Sequence, residues 1–338
     1  MSEVFNAQSA APFECASVLL VGFNRPDFMA SQITAIRSAA PKKLYIAVDG
    51  PRPGRDGEVE LCRRVQECVT LVDWPCEVKT LFREKNLGCR LGVSGAISWF
   101  FDNEVAGIVL EDDCRPSLEF FRFASEMLER YADDERIGAV SGFNYFNLQT
   151  DSQCSYHFSS HMDIWGWASW RRTWKLYDVD MKPYIADLDS IINSSSMTRY
   201  MKRVKHDGAL RAMDKLSTWD FQFSIASLAN HWLNIVPRER LVVNVGQFDR
   251  SAVHTGGYNY WAKDFEAMGK IEFPLCHPKE VVCDDAADRR RERIEAAFFP
   301  RALTWLGAKF PVLAEMLDCV GDALVARIPK LKEWNPYA

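Results

Sequence analysis

The chain has 338 residues, 48% of them hydrophobic, which is enough to bury a large core in one large domain or two. Its formal net charge of -5 disfavours broad electrostatic binding to nucleic acid, which requires a basic surface. The ten cysteines include no C-x-x-C pair, and the sequence has neither a signal-peptide pattern nor a long apolar span, so we expect a cytoplasmic protein.

Predicted strands and helices alternate through the first half of the chain. The predicted strands cover residues 17–22, 44–48, 77–82, 107–110 and 137–142, and the predicted helices between them cover about 26–39, 58–72, 92–101 and 118–131. This order predicts an α/β fold with a mostly parallel, Rossmann-like sheet flanked by helices. Because ligands of such sheets bind beyond the carboxyl ends of the strands, the polar residues that end each strand are the candidates for a site.

The alternation loosens after residue 142, and we interpret residues 143–285 as the second half of one continuous domain. The predicted boundaries are an N-terminal extension at 1–15, a domain at 16–285 with halves 16–142 and 143–285, and a helical tail at 286–338. The tail has apolar faces from 298 to 332 together with several basic residues. Such a segment either lies on a membrane surface or packs on the domain.

Three acids, Glu111-Asp112-Asp113, directly follow the fourth predicted strand. Acids at the end of an apolar strand are costly unless a cation neutralises them, and Mn²⁺ or Mg²⁺ bound to a diphosphate would do so. The alternative is an acidic N-cap for the helix that begins at Leu118.

A second group of residues, which are candidates for binding the nucleoside and its diphosphate, lies after the first three strands. Asn24 and Arg25 come after the first strand, and Asp49 ends the second, where a carboxylate can accept hydrogen bonds from a nucleoside or simply belong to an Asp-Gly-Pro turn. The loop 86–92 opens a helix, and its N–H groups favour a diphosphate. Charge-assisted hydrogen bonds or polar contacts could come from Arg83, Asn86 and Arg90.

Tryptophans crowd the segment 165–174. Trp170 and Trp174 have a spacing that suits core packing, whereas Trp165 and Trp167 flank Gly166 and could stack on a sugar. Trp219 is a further stacking candidate. For each ring, packing in the core is the alternative.

Two more residues are candidates, one for general-base catalysis and one for metal binding. Asp220 lies among apolar neighbours, where burial would suit it to general-base catalysis, although an N-cap role is the alternative. His254 lies after a predicted strand at 241–245 and could complete a metal shell begun by Asp113, although a lone histidine is more often structural.

The segment from Ile108 to Tyr131, a strand followed by Glu-Asp-Asp, a proline and a helix, resembles the metal-binding segment of GT-A glycosyltransferases. It is most like the inverting N-acetylglucosaminyltransferase I type and bacterial family-2-like enzymes. Other matching elements occur in chain order and extend the resemblance over about residues 16 to 260, without the tail: Leu20 to Pro26, Asp49, Gly166-Trp167 with Arg171 to Trp174, and Trp219-Asp220.

The resemblance implies a GT-A fold, a nucleotide-sugar donor and a glycan or lipid-linked acceptor. Asp49, Arg83 and Asp112 would face the nucleotide. Asp113 would bind the metal, with His254 a second ligand, and Asp220 would deprotonate the acceptor hydroxyl. UDP-GlcNAc is the donor suggested by this resemblance alone, and the stretch 244–249 has no counterpart in it.

Two other functions compete with this interpretation. A nucleotidyltransferase usually has a glycine-rich loop with a basic residue after the first strand, and Gly22 to Pro26 fits that poorly. An inactive carbohydrate-binding protein would not need the three acids together with Asp220.

Overall fold

The computed structural model describes residues 13–147, 150, 152–214, 218–248 and 267–296. In this part of the chain the strands are β1 Val18–Gly22, β2 Lys43–Val48, β3 Glu77–Phe82, β4 Ala106–Glu111, β5 Cys114–Pro116, β6 Ile137–Ser141, β7 Tyr156–Ser159, β8 Trp167–Trp170, β9 Leu233–Pro237 and β10 Val242–Asn244. The α-helices are α1 Pro26–Arg37, α2 Glu58–Glu67, α3 Gly88–Asn103, α4 Leu118–Arg130, α5 Arg171–Trp174, α6 Leu188–Ser194, α7 Arg199–Met213, α8 Asp220–Ala229 and α9 Asp285–Ala296.

An eight-stranded sheet in the order β3-β2-β1-β4-β8-β6-β9-β7 forms the centre of the fold. The strands β3, β2, β1 and β4 are parallel neighbours, as predicted. β8 is antiparallel to both β4 and β6, and β7 is antiparallel to β9, so the second half of the sheet is mixed. The α/β class with helices flanking a large sheet is therefore confirmed.

Strand β1 is buried on both faces of the sheet, and its alternate residues face opposite sides. In β1, Val18 and Leu20 join a core cluster with α1 and α4, whereas Leu19 and Val21 join a second cluster with α3 and α8. This two-sided burial explains why β1 appears in the sequence as an uninterrupted apolar run.

Several predicted boundaries differ from the observed ones. The second predicted helix ends as α2 at Glu67 and continues as a short 3-10 helix, Cys68–Leu71. The third begins earlier, at Gly88, and the predicted strand 241–245 is the short β10. β10 pairs antiparallel with β5, which the sequence did not predict, and the two form a ribbon directly after the acids of β4.

The first part of the predicted tail packs on the domain. Asp288 of α9 accepts hydrogen bonds from Ser159 Oγ (2.5 Å) and from the backbone N–H of Ser160 (2.9 Å). Glu292 contacts His161 at 3.0 Å and accepts a hydrogen bond from Thr198 N. The rest of the tail, including the amphipathic run from 298, lies outside the described residues.

Replacing Asp288 by Ala is expected to lower the free energy of unfolding by about 2–3 kcal/mol, because buried donors lose their acceptor. Asp288 is 6% exposed, so water cannot readily replace it. Urea unfolding measures the difference. Asp285→Ala on the exposed first turn of α9 is the control and should change stability far less; equal effects of the two changes would contradict the anchoring role.

Candidate functional site

The three acids lie at the carboxyl end of β4, which has β1 on one side and β8 on the other. Glu111 is the last residue of the strand, and Asp112 and Asp113 form the turn into β5. The N-cap of α4 is Ser117, whose hydroxyl accepts a hydrogen bond from Phe120 N. The acids therefore do not cap that helix, which removes the structural alternative considered for them.

Arg25, in the turn between β1 and α1, contacts two of these acids. Its Nε donates to Asp112 Oδ2 at 3.2 Å, a guanidinium nitrogen forms an ion pair with Asp112 Oδ1, and the same nitrogen lies 3.1 Å from Asp113 Oδ2. Asp112 is 3% exposed, so it needs a partner of this kind. Arg25 thus neutralises part of the acidic cluster.

One guanidinium does not balance the negative charge of the cluster. Burial, followed by the charges of Asp113, Asp112 and Asp220, raises the pKa of Glu111 to about 8. Burial also raises the pKa of Asp112 to about 7, although Arg25 opposes that shift. These shifts indicate closely spaced carboxyl groups that repel one another when ionised. A second cation beside them would reduce that repulsion.

The backbone directly after β10 packs against Asp113. Val245 N donates to the carbonyl of Asp113 at 2.8 Å. A Cβ at Gly246 would overlap the Asp113 side chain, so any larger residue there would displace the carboxylate. The stretch 244–249, which has no counterpart in the family resemblance, therefore contributes to the site through residues 244–246. The feature of the sequence that indicated this close approach of two chain segments was Gly246.

Asp220 is the first residue of α8 and lies in the same charged cluster as Glu111, whose pKa it helps to raise. Its carboxylate does not cap the helix. It accepts a hydrogen bond from the Thr218 hydroxyl instead. Trp219, 2% exposed, anchors the start of α8 in the core. The N-cap alternative for Asp220 is therefore removed, and its carboxylate remains available to a ligand.

The residues present fit a divalent cation shared with a diphosphate. Glu111 and Asp113 offer hard oxygen ligands, and Asp113 keeps a more exposed carboxylate than Asp112, although Arg25 contacts both. Within the described ranges no group of three His, Cys, Asp or Glu side chains could hold a metal, so a ligand would have to supply further oxygens. His254 lies outside the described residues, and its role as a ligand stays a prediction.

Asp49 binds the loop that the sequence suggested for a diphosphate. Its carboxylate accepts hydrogen bonds from Leu87 N at 3.1 Å and Gly88 N at 3.0 Å. Asn86 Nδ2 donates to the carbonyl of Gly50 at 2.9 Å. Two N–H groups at the start of α3, those of Leu87 and Gly88, therefore have an acceptor within the protein, and diphosphate binding by this loop stays a prediction.

The other polar candidates also have partners in the protein. Arg83 donates to Gly92 O at 2.8 Å, and Asn24 Nδ2 donates to Glu58 Oε1 at 3.0 Å. Arg90 donates to Val179 O and to Asp180, both at 2.8 Å, and so connects α3 to the second half of the chain. Nucleotide contacts by these three residues stay predictions.

Two of the three predicted stacking rings are core residues. Trp167 is 1% and Trp219 2% exposed, and their ring centroids lie 5.8 Å apart with nearly parallel planes. Rings enclosed in this way have no face for a sugar, which corrects that expectation for both. Trp165 is half-buried and packs against Tyr145 and Phe143, and its stacking role stays a prediction.

Comparison with known proteins gives only distant structural likenesses. The chain is similar to HddC from Yersinia pseudotuberculosis (10% identity, 46% of this chain, 77% of that chain, TM-score 0.30). It is also similar to a 4-diphosphocytidyl-2C-methyl-D-erythritol synthase from Anaerococcus prevotii (7%, 57%, 84%, 0.27) and to the glycosyltransferase GlyE from Streptococcus pneumoniae (11%, 71%, 58%, 0.31). These are distant likenesses of the chain path, with identities of 7–11%.

No protein-family model and no curated protein matches the sequence. Across the described ranges, no helix is both long enough and apolar enough to cross a bilayer.

Proposed function

We propose that this protein is a GT-A type, inverting glycosyltransferase that moves a sugar from a nucleoside diphosphate sugar to an acceptor hydroxyl. The observation that supports this most is the convergence of Asp220, from the second half of the chain, with Glu111 and Asp113 at the end of β4. A carboxylate for proton removal and a charged site for a diphosphate must lie side by side in such an enzyme.

In the proposed reaction, the acceptor oxygen attacks the anomeric carbon as the bond from that carbon to the diphosphate breaks. Asp220 removes the proton of the acceptor hydroxyl while the new bond forms. Attack from the face opposite the leaving group inverts the anomeric configuration. Thr218, which donates to one oxygen of Asp220, fixes the direction of the carboxylate.

Glu111 and Asp113 would hold the divalent cation, Mn²⁺ or Mg²⁺, which when bound neutralises charge on the departing diphosphate. Arg25 holds Asp112 in place and adds a positive charge beside the same site. Asn24, Asp49, Arg83, Asn86 and Arg90 would position the nucleotide, either directly or by holding the loops of the first half of the sheet.

The donor and acceptor are proposed from the family resemblance. A UDP-sugar, with GlcNAc or another hexose, is the favoured donor, and a glycan, glycolipid or lipid-linked hydroxyl is the favoured acceptor. Peripheral membrane contact through the tail would suit a lipid-linked acceptor and a place at the inner face of the membrane. The amphipathic run that would make that contact lies outside the described residues.

Incubating the protein with UDP-sugars and Mn²⁺ tests the proposed function. We expect slow release of UDP without acceptor, because the site activates the donor and water can replace the acceptor. Release of pyrophosphate from UTP with a sugar phosphate would show a nucleotidyltransferase instead. Binding of sugars with no release of either product would show an inactive carbohydrate-binding protein, and the Asp220→Asn variant is the matched control.

A further inference from the structure

Two cysteines meet at the outer edge of the sheet, far from the acidic site in the order of the strands. The sulfur atoms of Cys154 and Cys276 lie 3.9 Å apart. Cys276 is exposed and Cys154 is half-buried, so small thiol reagents can reach the pair. Neither residue has a part in the proposed transfer reaction.

The backbone holds the two cysteines together. Ser155 N donates to the carbonyl of Cys276 at 2.8 Å, and Cys276 N donates to Ser155 Oγ at 2.9 Å. Because the two segments are fixed side by side, side-chain rotation can bring the sulfur atoms to the ~2.05 Å of a disulfide.

The chain around Cys276 covers the free edge of β7, the last strand of the sheet. This edge segment, residues 276–284, forms a parallel bridge between Cys283 and Phe158, and Asp284 N donates to Phe158 O at 2.8 Å. It leads directly into α9, whose Asp288 binds the end of β7. Covering an edge strand in this way prevents it from pairing with another chain.

We propose that Cys154 and Cys276 form a reversible redox site whose disulfide fastens the edge segment to the start of β7. The oxidant is a small-molecule disulfide such as oxidised glutathione. The exposed Cys276 thiolate attacks it and releases one glutathione thiolate. The Cys154 thiolate then attacks the sulfur of Cys276 in the mixed disulfide and releases the second. The two leaving thiolates take up the two protons that the cysteines lose, and the two electrons pass to glutathione.

The disulfide has a stabilising consequence. It closes a long loop of the chain, which restricts the unfolded state and adds a covalent link across the edge of the sheet. Within the described ranges no group of three His, Cys, Asp or Glu side chains, here or elsewhere, could hold a metal, so a disulfide suits these thiols better than metal binding.

Oxidised glutathione added to the full-length protein, followed by alkylation and non-reducing tryptic digestion, tests the proposal. Trypsin places the two cysteines in separate peptides, Ile137–Arg171 and Ile271–Lys279, each with a single cysteine. We expect these peptides to be cross-linked, with a Tm several degrees higher than that of the reduced protein. Dithiothreitol should reverse both changes.

Serine variants separate this disulfide from general oxidation. Cys154→Ser and Cys276→Ser should each lose the cross-link and the Tm shift. Cys76→Ser, in a half-buried cysteine beside β3 at the opposite edge of the sheet, should keep both. Glutathione adducts without the cross-linked peptide, or a cross-link that leaves the Tm unchanged, would overturn the proposal.

Discussion

Asp220→Asn is expected to lower the rate of sugar transfer by about 10²–10⁴-fold, the usual contribution of a general base. Asparagine has the same size and can still accept the hydrogen bond from Thr218, so the start of α8 should remain in place. Only the ability to take a proton is removed. A coupled assay of UDP release with a saturating acceptor measures the loss.

Nucleotide binding shows whether the loss is chemical. The variant should bind UDP with Mn²⁺ as the unchanged protein does, measured by calorimetry. Asp102→Asn is the matched control, since Asp102 is exposed near the end of α3. It precedes the amino end of β4, whereas the acids lie at the carboxyl end of that strand. Transfer by Asp220→Asn at a rate near that of the unchanged protein would refute the assignment of the base.

Asp113→Ala is expected to remove the dependence of nucleotide binding on a divalent cation. Arg25 contacts both aspartates, but Asp112 takes two of its contacts and has a side chain that is only 4% exposed. Asp113, whose side chain is 20% exposed, is therefore the aspartate better placed to meet a metal-diphosphate complex. Coupling between two bound ligands is typically about 5–150-fold in affinity. We expect Mn²⁺ to tighten UDP binding to the unchanged protein within that range and to have no effect on the variant.

Calorimetric titration with UDP, with and without Mn²⁺, measures this coupling directly. Asp133→Ala is the control, because Asp133 is exposed in the turn between α4 and β6, before the amino end of β6 and away from the acids. Gly246 packs against the Asp113 carboxylate, and alanine at position 113 relieves that contact rather than adding one. Equal tightening by Mn²⁺ in the variant and the unchanged protein would exclude Asp113 as the ligand.

The sequence by itself determined the first half of the fold and the place of the acids. Apolar runs such as Val18–Gly22 are long enough and uniform enough to mark strands buried on both faces, and helical periodicity marks the segments between them. Since parallel strands end at the same edge, Glu111 and Asp113 could be placed there without coordinates.

Only the tertiary structure decided which polar groups are already paired and which strands reverse direction. The antiparallel insertion of β8 depends on contacts with β4 and β6 that are distant in sequence, so local patterns could not predict it. The same holds for the binding of Arg25 to Asp112 and for the burial of Trp167 and Trp219, because a residue type does not reveal its long-range partner.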